Sequence, residues 1–211
     1  MLITWLGHSC FLIENSLDEK IILDPFNKSM GGNPYVGSAD IITISHNHFD
    51  HNFTDFINTG ATIIKTPCTY ESDTIKIEGF PSYHDNVKGA KRGENIIFLI
   101  ESDNFRLCHL GDLGHMLTDT EIDLIDNIDV LFIPVDSNFT LNPNVASNLC
   151  NKINCKLIIP MHYKTSSIDY PVYGIEKFIA LMKNAMNLKS NSLVIDNFMD
   201  QSRKVVLFNQ S

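Results

Sequence analysis

Between residues 46 and 51 the chain reads His46-Asn47-His48-Phe49-Asp50-His51, directly after the apolar run Ile41-Ile42-Thr43-Ile44. Three imidazoles and a carboxylate are costly to bury without partners, and a solvated loop gains nothing from clustering them. The economical reading is a metal site, and that reading limits the fold. The chain must end a buried strand here and bring further ligands to the same place. In an extended segment residues two apart point to the same side, so His46 and His48 can reach one ion together. Asp50 and His51 lie one turn further on and can reach a second position beside the first.

The chain has 211 residues, enough to bury a sizeable core. Hydrophobic residues make up 44% and charged residues 19%, so it is globular and not disordered. No linker, low-complexity segment or composition break divides it, and residues 1–211 read as one domain. The net charge of -9 argues against a polynucleotide partner, which needs a basic surface; a small anion in a local basic pocket stays open. Cys10, Cys68, Cys108, Cys150 and Cys155 are odd in number and contain no C-x-x-C pair, as expected of reduced thiols in a cytosolic protein. Residues 2–6 look strand-like from the start, without the features of a signal peptide. No apolar run approaches the roughly 20 residues that span a bilayer. A cytoplasmic protein without a membrane segment is the expectation.

Short apolar runs separated by turns dominate the chain. Strands are expected over residues 1–6, 10–14, 21–23, 41–44, 62–65, 74–77, 96–101, 105–109, 130–135, 156–160, 193–195 and 205–208. Helices are expected over 118–128, with Thr118 or Asp119 as cap, over 143–152 and over 176–187, and at most a short one over 55–58. The Gly-, Asn- and Pro-rich loop 26–38 is long enough to be functional, and could cover the site.

A dinuclear site needs more ligands than six residues offer. The other candidates are His8, His84, His109, Asp112, His115 and His162, with Asp24. His84, Asp112 and His162 each follow an apolar strand or lie in a loop just beyond one. Gly111 before Asp112 allows close backbone approach, and a carboxylate with two oxygens suits a bridge. Asp24 is expected to orient a ligating imidazole, a common arrangement around metals. His8 and His109 read more simply as structural residues. Lys88, Lys91 and Arg92 form a basic turn that can attract an anionic substrate in an acidic chain.

The ordered series His46-x-His48-x-Asp50-His51, His84, Gly111-Asp112 and His162 resembles the motif series of the metallo-β-lactamase superfamily, with Asp24 at its first acidic position. Trp5-Leu6-Gly7-His8-Ser9, Arg92-Gly93-Glu94-Asn95, His109-Leu110-Gly111-Asp112-Leu113-Gly114-His115 and Pro160-Met161-His162-Tyr163 look most like the L-ascorbate-6-phosphate lactonase-like metal-dependent hydrolases. The resemblance implies an α/β fold, a four-layer αββα sandwich with metals at one edge between the sheets. It implies that His46, His48 and His84 hold one metal, that Asp50, His51 and His162 hold a second, and that Asp112 bridges them. The chain departs from related sequences after Pro134-Val135, where Asp136-Ser137-Asn138 stands in place of glycines.

The expected chemistry is metal-assisted hydrolysis. Two divalent ions hold a water or hydroxide, lowering its pKa to about 7; zinc is expected, with manganese or iron as alternatives. Asp50 orients the nucleophile, and His115 serves as proton donor or substrate contact. The expected substrate is a small, possibly anionic ester, lactone or phosphoester. Rival readings are a phosphodiesterase acting on a small phosphodiester or nucleic acid, an iron-dependent oxygenase, and a non-enzymatic metal-binding protein. A homo-oligomer is compatible with the sequence.

Overall fold

The structure, a computed structural model, describes residues 1–57, 60–168, 170–198 and 202–209. In chain order the elements are β1 (Leu2–Gly7), β2 (Cys10–Glu14), β3 (Lys20–Leu23), β4 (Ile41–Thr43), β5 (Thr62–Ile64), β6 (Thr69–Glu71), β7 (Ile75–Tyr83), β8 (Glu94–Ser102) and β9 (Phe105–His109). There follow α1 (Asp119–Leu124), β10 (Ile128–Pro134), α2 (Pro143–Lys152), β11 (Cys155–Met161), α3 (Glu176–Met182), β12 (Ala185–Asn187), β13 (Ser192–Val194) and β14 (Lys204–Leu207). Two mixed sheets result, ordered β13-β1-β2-β3-β4-β5 and β12-β14-β11-β10-β9-β8-β7-β6.

Alternation along the strands explains the layers. Phe11 and Ile13 of β2, Ile21 and Leu23 of β3, and Ile41 of β4 join the core shared with the second sheet. Their neighbours Cys10, Leu12, Ile22 and Ile42 point the other way, into a smaller cluster with Phe26, Met30, Ile57, Ile168 and Val172. Strands apolar on both faces need cover on both. On the second sheet the parallel steps β9 to β10 and β10 to β11 run through α1 and α2. Over the first sheet the outer layer is irregular chain, with a single 3-10 turn at Lys28–Met30. Loop 26–38 belongs to that layer. Buried Phe26 and Met30 anchor it on the outer face and do not bring it over the metal residues.

Most expected strands and the helix Pro143–Lys152 form, the latter capped by Asn142, whose side chain accepts from Asn144 and Val145 N–H. Three readings change. The helix expected over 176–187 stops at Met182, because Lys183 turns left-handed (φ 60°) and Ala185–Asn187 pairs with β14. The helix expected over 118–128 is short, with a Thr118–Glu121 capping box, and Ile128 already starts β10. β7 runs to Tyr83 through Gly79 and Pro81, which read as strand breakers. Its partner β8 is equally long, from Ile75↔Ser102 to Tyr83↔Glu94, and β6 pairs only as far as Glu78, so Pro81 lies on an open edge. Over 55–58, Asp55 and Phe56 form a turn and Ile57 a single bridge; Asn58 lies outside the described residues.

The ends of the parallel-running strands build the site. β1, β3 and β4 run one way in the first sheet, and β7, β9, β10 and β11 run one way in the second. His8 follows β1, Asp24 follows β3, the 46–51 segment follows β4, and His84 follows β7. Asp112, Asp136 and His162 come just after β9, β10 and β11.

Candidate metal centre

Asp112 is the hub. Its Oδ2 lies 3.1 Å from His84 Nε2, 3.1 Å from His162 Nε2, 3.3 Å from His51 Nε2 and 3.7 Å from His46 Nε2. Two groups flank it. On one side His46, His48 and His84 bring a ligand nitrogen each within 4.8 Å of one another; on the other, His8, Asp50, His51 and His162 do the same. All are buried except the half-buried His48. The structure thus brings together all seven residues expected to hold metals, and adds His8.

Partners behind the imidazoles set their tautomers. Asp24 accepts from Ser45 N–H at 2.7 Å, Ser45 Oγ–H at 2.6 Å and His51 Nδ1–H at 2.8 Å. With its proton given to Asp24, Ser45 Oγ accepts from His46 Nδ1–H at 2.9 Å. His162 Nδ1 faces Asp136 Oδ2 at 2.5 Å. In each case Nδ1 faces this partner and Nε2 is the nitrogen turned toward Asp112. Asp136 is the residue the sequence reading missed. Its signal was an acidic residue directly after an apolar strand, the same as for Asp24, but it fell where the motif departs from its relatives.

Glycines admit the close approach. Gly111 is left-handed (φ 55°), and a Cβ there would collide with Asn95 Oδ1 and stand 2.6 Å from Ser45 Cβ. Asn95 in turn accepts from Asp112 N–H at 2.9 Å and donates to Leu110 O at 2.9 Å, pinning the Asp112 loop to β8. At Gly114 a Cβ would run into the backbone of His84 and Asp85.

The buried charges shift one another. Burial pushes the Asp112 carboxyl up, but His162 and His51 outweigh it and hold it well below the usual carboxylate range. Asp50 is also lowered, as His51 and His8 overcome its burial. Burial lowers His162, yet Asp112 and Asp136 reverse this and raise it to about 10. His51 is likewise raised well above its ordinary value by Asp112 and Asp50, against its burial. His46 is held well below by burial and then by His51, and His8 is lowered to about 4 by burial and then His162. Protons on His51 and His162 therefore neutralise the carboxylates when no cation is bound, and a divalent cation would displace them.

The residues fit such a cation. His46 Nε2, His51 Nε2, His162 Nε2 and Asp112 Oδ1 are buried without a hydrogen-bond partner. Buried polar atoms are rarely left so, and these converge on one spot.

Two candidate histidines fall elsewhere. His109 donates from Nε2 to Ser9 O at 3.1 Å and accepts at Nδ1 from Gly111 N–H at 3.3 Å, a structural role. His115, expected as proton donor or substrate contact, is not brought into the cluster. Its Nε2 accepts from Tyr83 N–H at 3.3 Å and its Nδ1 donates to Met116 O at 3.0 Å, so both nitrogens serve the backbone.

The basic turn is organised by Asp85, whose carboxylate accepts from the N–H groups of Val87, Gly89, Lys91 and Arg92 at 2.8–2.9 Å. Lys88 and Lys91 point to solvent. Arg92 folds back: its guanidinium lies 4.7 Å from the Phe139 ring centroid and donates to Asn138 O at 3.1 Å. Phe139 stacks on Tyr170 at 5.2 Å and lies 6.5 Å from the His162 ring, and Tyr170 meets Phe49 at 6.0 Å. These three aromatics, not loop 26–38, flank the histidine cluster. Arg92 lines both clefts beside them, one of 530 Å³ reaching His46 and His48 and one of 410 Å³ reaching His84. A further groove, of 770 Å³, lies at the opposite end of the sheets, around the β8–β9 turn.

The model of the beta-lactamase superfamily domain matches residues 2–162, a span that holds the whole cluster from His8 to His162. The chain belongs to this family. It is 30% identical over 200 residues to a UPF0173 metal-dependent hydrolase of Pelotomaculum thermopropionicum, covering 78% of this chain and 85% of that one. A metal-dependent hydrolase of Thermococcus kodakarensis is 28% identical over 198 residues, covering 77% and 84%. The fold is that of a Thermotoga maritima protein assigned to the Zn-dependent hydrolases of the metallo-β-lactamase superfamily. It matches with a TM-score of 0.82 and 32% identity over 99% of both chains.

Proposed function

We propose that this metal-dependent hydrolase works with two divalent ions, zinc being the expected element, on a small anionic ester, lactone or phosphoester. The observation that carries the reading is the single Asp112 oxygen within 3.7 Å of four imidazole nitrogens from three parts of the chain. His46, His48 and His84 would hold one ion, Asp50, His51 and His162 the other, with Asp112 between them. Ions there supply Lewis acidity and a water acidified to near neutrality.

The protein's own residues supply the rest. Asp50, its carboxyl kept ionised by His51 and His8, accepts a proton or hydrogen bond from the nucleophile. Asp24 and Asp136 keep Nε2 of His51 and His162 unprotonated toward the site once their protons have left. Phe49, Phe139 and Tyr170 wall one side of the site. Arg92 has no carboxylate partner among the described ion pairs, so its guanidinium is available to a substrate carboxylate or phosphate at the mouth. An acidic chain with a cation at the mouth of the cleft suits a small anion better than a long polynucleotide. No helix among the described residues is long and apolar enough to cross a membrane, and five unpaired cysteines suit a reducing cytoplasm.

Metal analysis of the purified protein should give close to two ions per chain; less than half an ion after reconstitution with zinc and manganese rejects the reading. A screen of the loaded protein against lactones, thioesters, phosphodiesters and β-lactams should find activity on one anionic class. Dioxygen consumption with iron in its place would favour an oxygenase.

A further inference from the structure

Every ligand proposed for the second ion has one buried partner behind it. His51 has Asp24, at 2.8 Å, and His162 has Asp136, at 2.5 Å. For Asp50 that partner is His8, whose Nε2 lies 3.3 Å from Asp50 Oδ2, the one hydrogen bond to this carboxylate among the described residues. We infer that His8 is the positioning residue of Asp50, donating Nε2–H to Oδ2 and so fixing the orientation of this carboxylate beside His51.

The chain goes to some length to place this imidazole. The β1–β2 register shifts between Trp5 and Gly7, and His8 then adopts a left-handed backbone at φ 52°. Such a conformation is uncommon for a residue with a side chain and is held only where the surroundings require it. Here the surroundings clamp it: the His8 carbonyl accepts from Trp5 Nε1–H at 3.0 Å and from His162 N–H at 3.4 Å. The ring is fully buried and packs against His162 with 4.1 Å between centroids. It has no freedom to serve elsewhere.

His8 could instead be a ligand itself, since its nitrogen lies in the same group as those of His51 and His162. The pattern of partners argues for the donor role. Ligating imidazoles usually give their other N–H to a carboxylate, carbonyl or water. Within this group His51 and His162 face Asp24 and Asp136 through Nδ1, whereas His8 Nδ1 faces no carboxylate and has no partner; Nδ1 of His84, in the other group, is likewise unpartnered. The inference rests on the two-ion reading above.

The test compares full-length wild type, H8N and H8Q. Asparagine tolerates the left-handed backbone but is too short to reach Asp50; glutamine carries an amide donor near the position of Nε2 and is a poor zinc ligand. Zinc stoichiometry, the affinity of each ion by chelator competition, and the visible spectrum of the cobalt-loaded protein are read, with circular dichroism of the metal-free forms as the folding check. H8N should bind the second ion about 10–100-fold more weakly, in the range seen for lost outer partners, with the first ion unchanged. H8Q should restore the affinity and the cobalt spectrum. If H8N fails to fold, H8M takes its place. Wild-type affinity and spectrum in H8N overturn the inference while leaving the two-ion reading intact. Equal loss in H8N and H8Q also overturns it, making His8 a ligand. A wild type that takes up only one ion defeats the two-ion reading, and this inference with it.

Discussion

Replacing Asp24 by Asn tests the relay behind the metal residues most sharply. The change is isosteric, and Asn accepts the left-handed backbone that Asp24 holds at φ 43°, so strain is not added. The carboxylate accepts three bonds, from Ser45 N–H, Ser45 Oγ–H and His51 Nδ1–H. An amide keeps one acceptor, for Ser45 N–H, and turns an NH2 toward the other two. His51 Nδ1 must then accept, which moves its proton to Nε2, where a cation would bind. Two bonds to a buried charge, at ~1.5–3 kcal/mol each, are exchanged for bonds to a neutral amide, at ~0.5–1.5 kcal/mol each. Taking about 2 kcal/mol for the difference, Tm of the metal-free protein falls by about 4–8 °C for a chain of this size. The ion at the His51 position should bind about 10–100-fold more weakly, which is ~1.4–2.7 kcal/mol. The ion at the His46 position should weaken less, because Ser45 stands between. Differential scanning calorimetry and chelator competition with metal analysis measure both quantities. Two ions bound at wild-type affinity, with an unchanged Tm, would refute the claim that Asp24 sets the His51 tautomer.

Gly111→Ala puts a side chain at φ 55° against Asn95 and Ser45; a cost of roughly 1–3 kcal/mol should appear as a lower Tm and reduced metal content, and a neutral result would show that the loop can move away. Chelation of protein held at a hundredfold Kd of zinc removes about 2.7 kcal/mol, so Tm should drop by about 5–11 °C; no shift would mean that the ions bind folded and unfolded chains alike. Asp85 is tied to pH. Burial raises its pKa, but the N–H groups of Arg92, Lys91, Val87 and Gly89 outweigh this and bring it from 3.8 to about 2. A depressed carboxyl stabilises the loop above its unfolded pKa and loses that effect as pH falls toward the folded value. Amide-exchange protection at residues 87–92 should therefore fall between about pH 4 and pH 2, ahead of β8, and in Asp85→Asn the step should vanish. Equal protection across that window would sink the assignment.

Much of the site could be read from local spacing. His46, His48, Asp50 and His51 declare themselves because strand geometry aims alternate residues together, and Asp24 and Asp112 because acids at strand ends need a reason. What could not be read was non-local. Residues 176–182 and 185–187 carry one apolar pattern, yet pairing with β14 makes the latter a strand. Gly79 and Pro81 oppose a strand on propensity, and β8 overrules them. The aromatics flanking the site come from residues 49, 139 and 170, which nothing in the chain links.

By itself the sequence determined which chemical groups were on offer and that some of them are spaced so as to reach one point together. Eight histidines, however, are alike as residue types. Only the tertiary structure decided that His109 and His115 spend both nitrogens on backbone groups, while His84 and His162 meet at one Asp112 oxygen. It also decided that His8 and Asp136, without any metal-like spacing, stand behind Asp50 and His162. The reason is geometric. Neighbours in an extended chain share a direction by bond geometry alone, whereas residues a hundred positions apart meet only through strand register and the packing of two sheets.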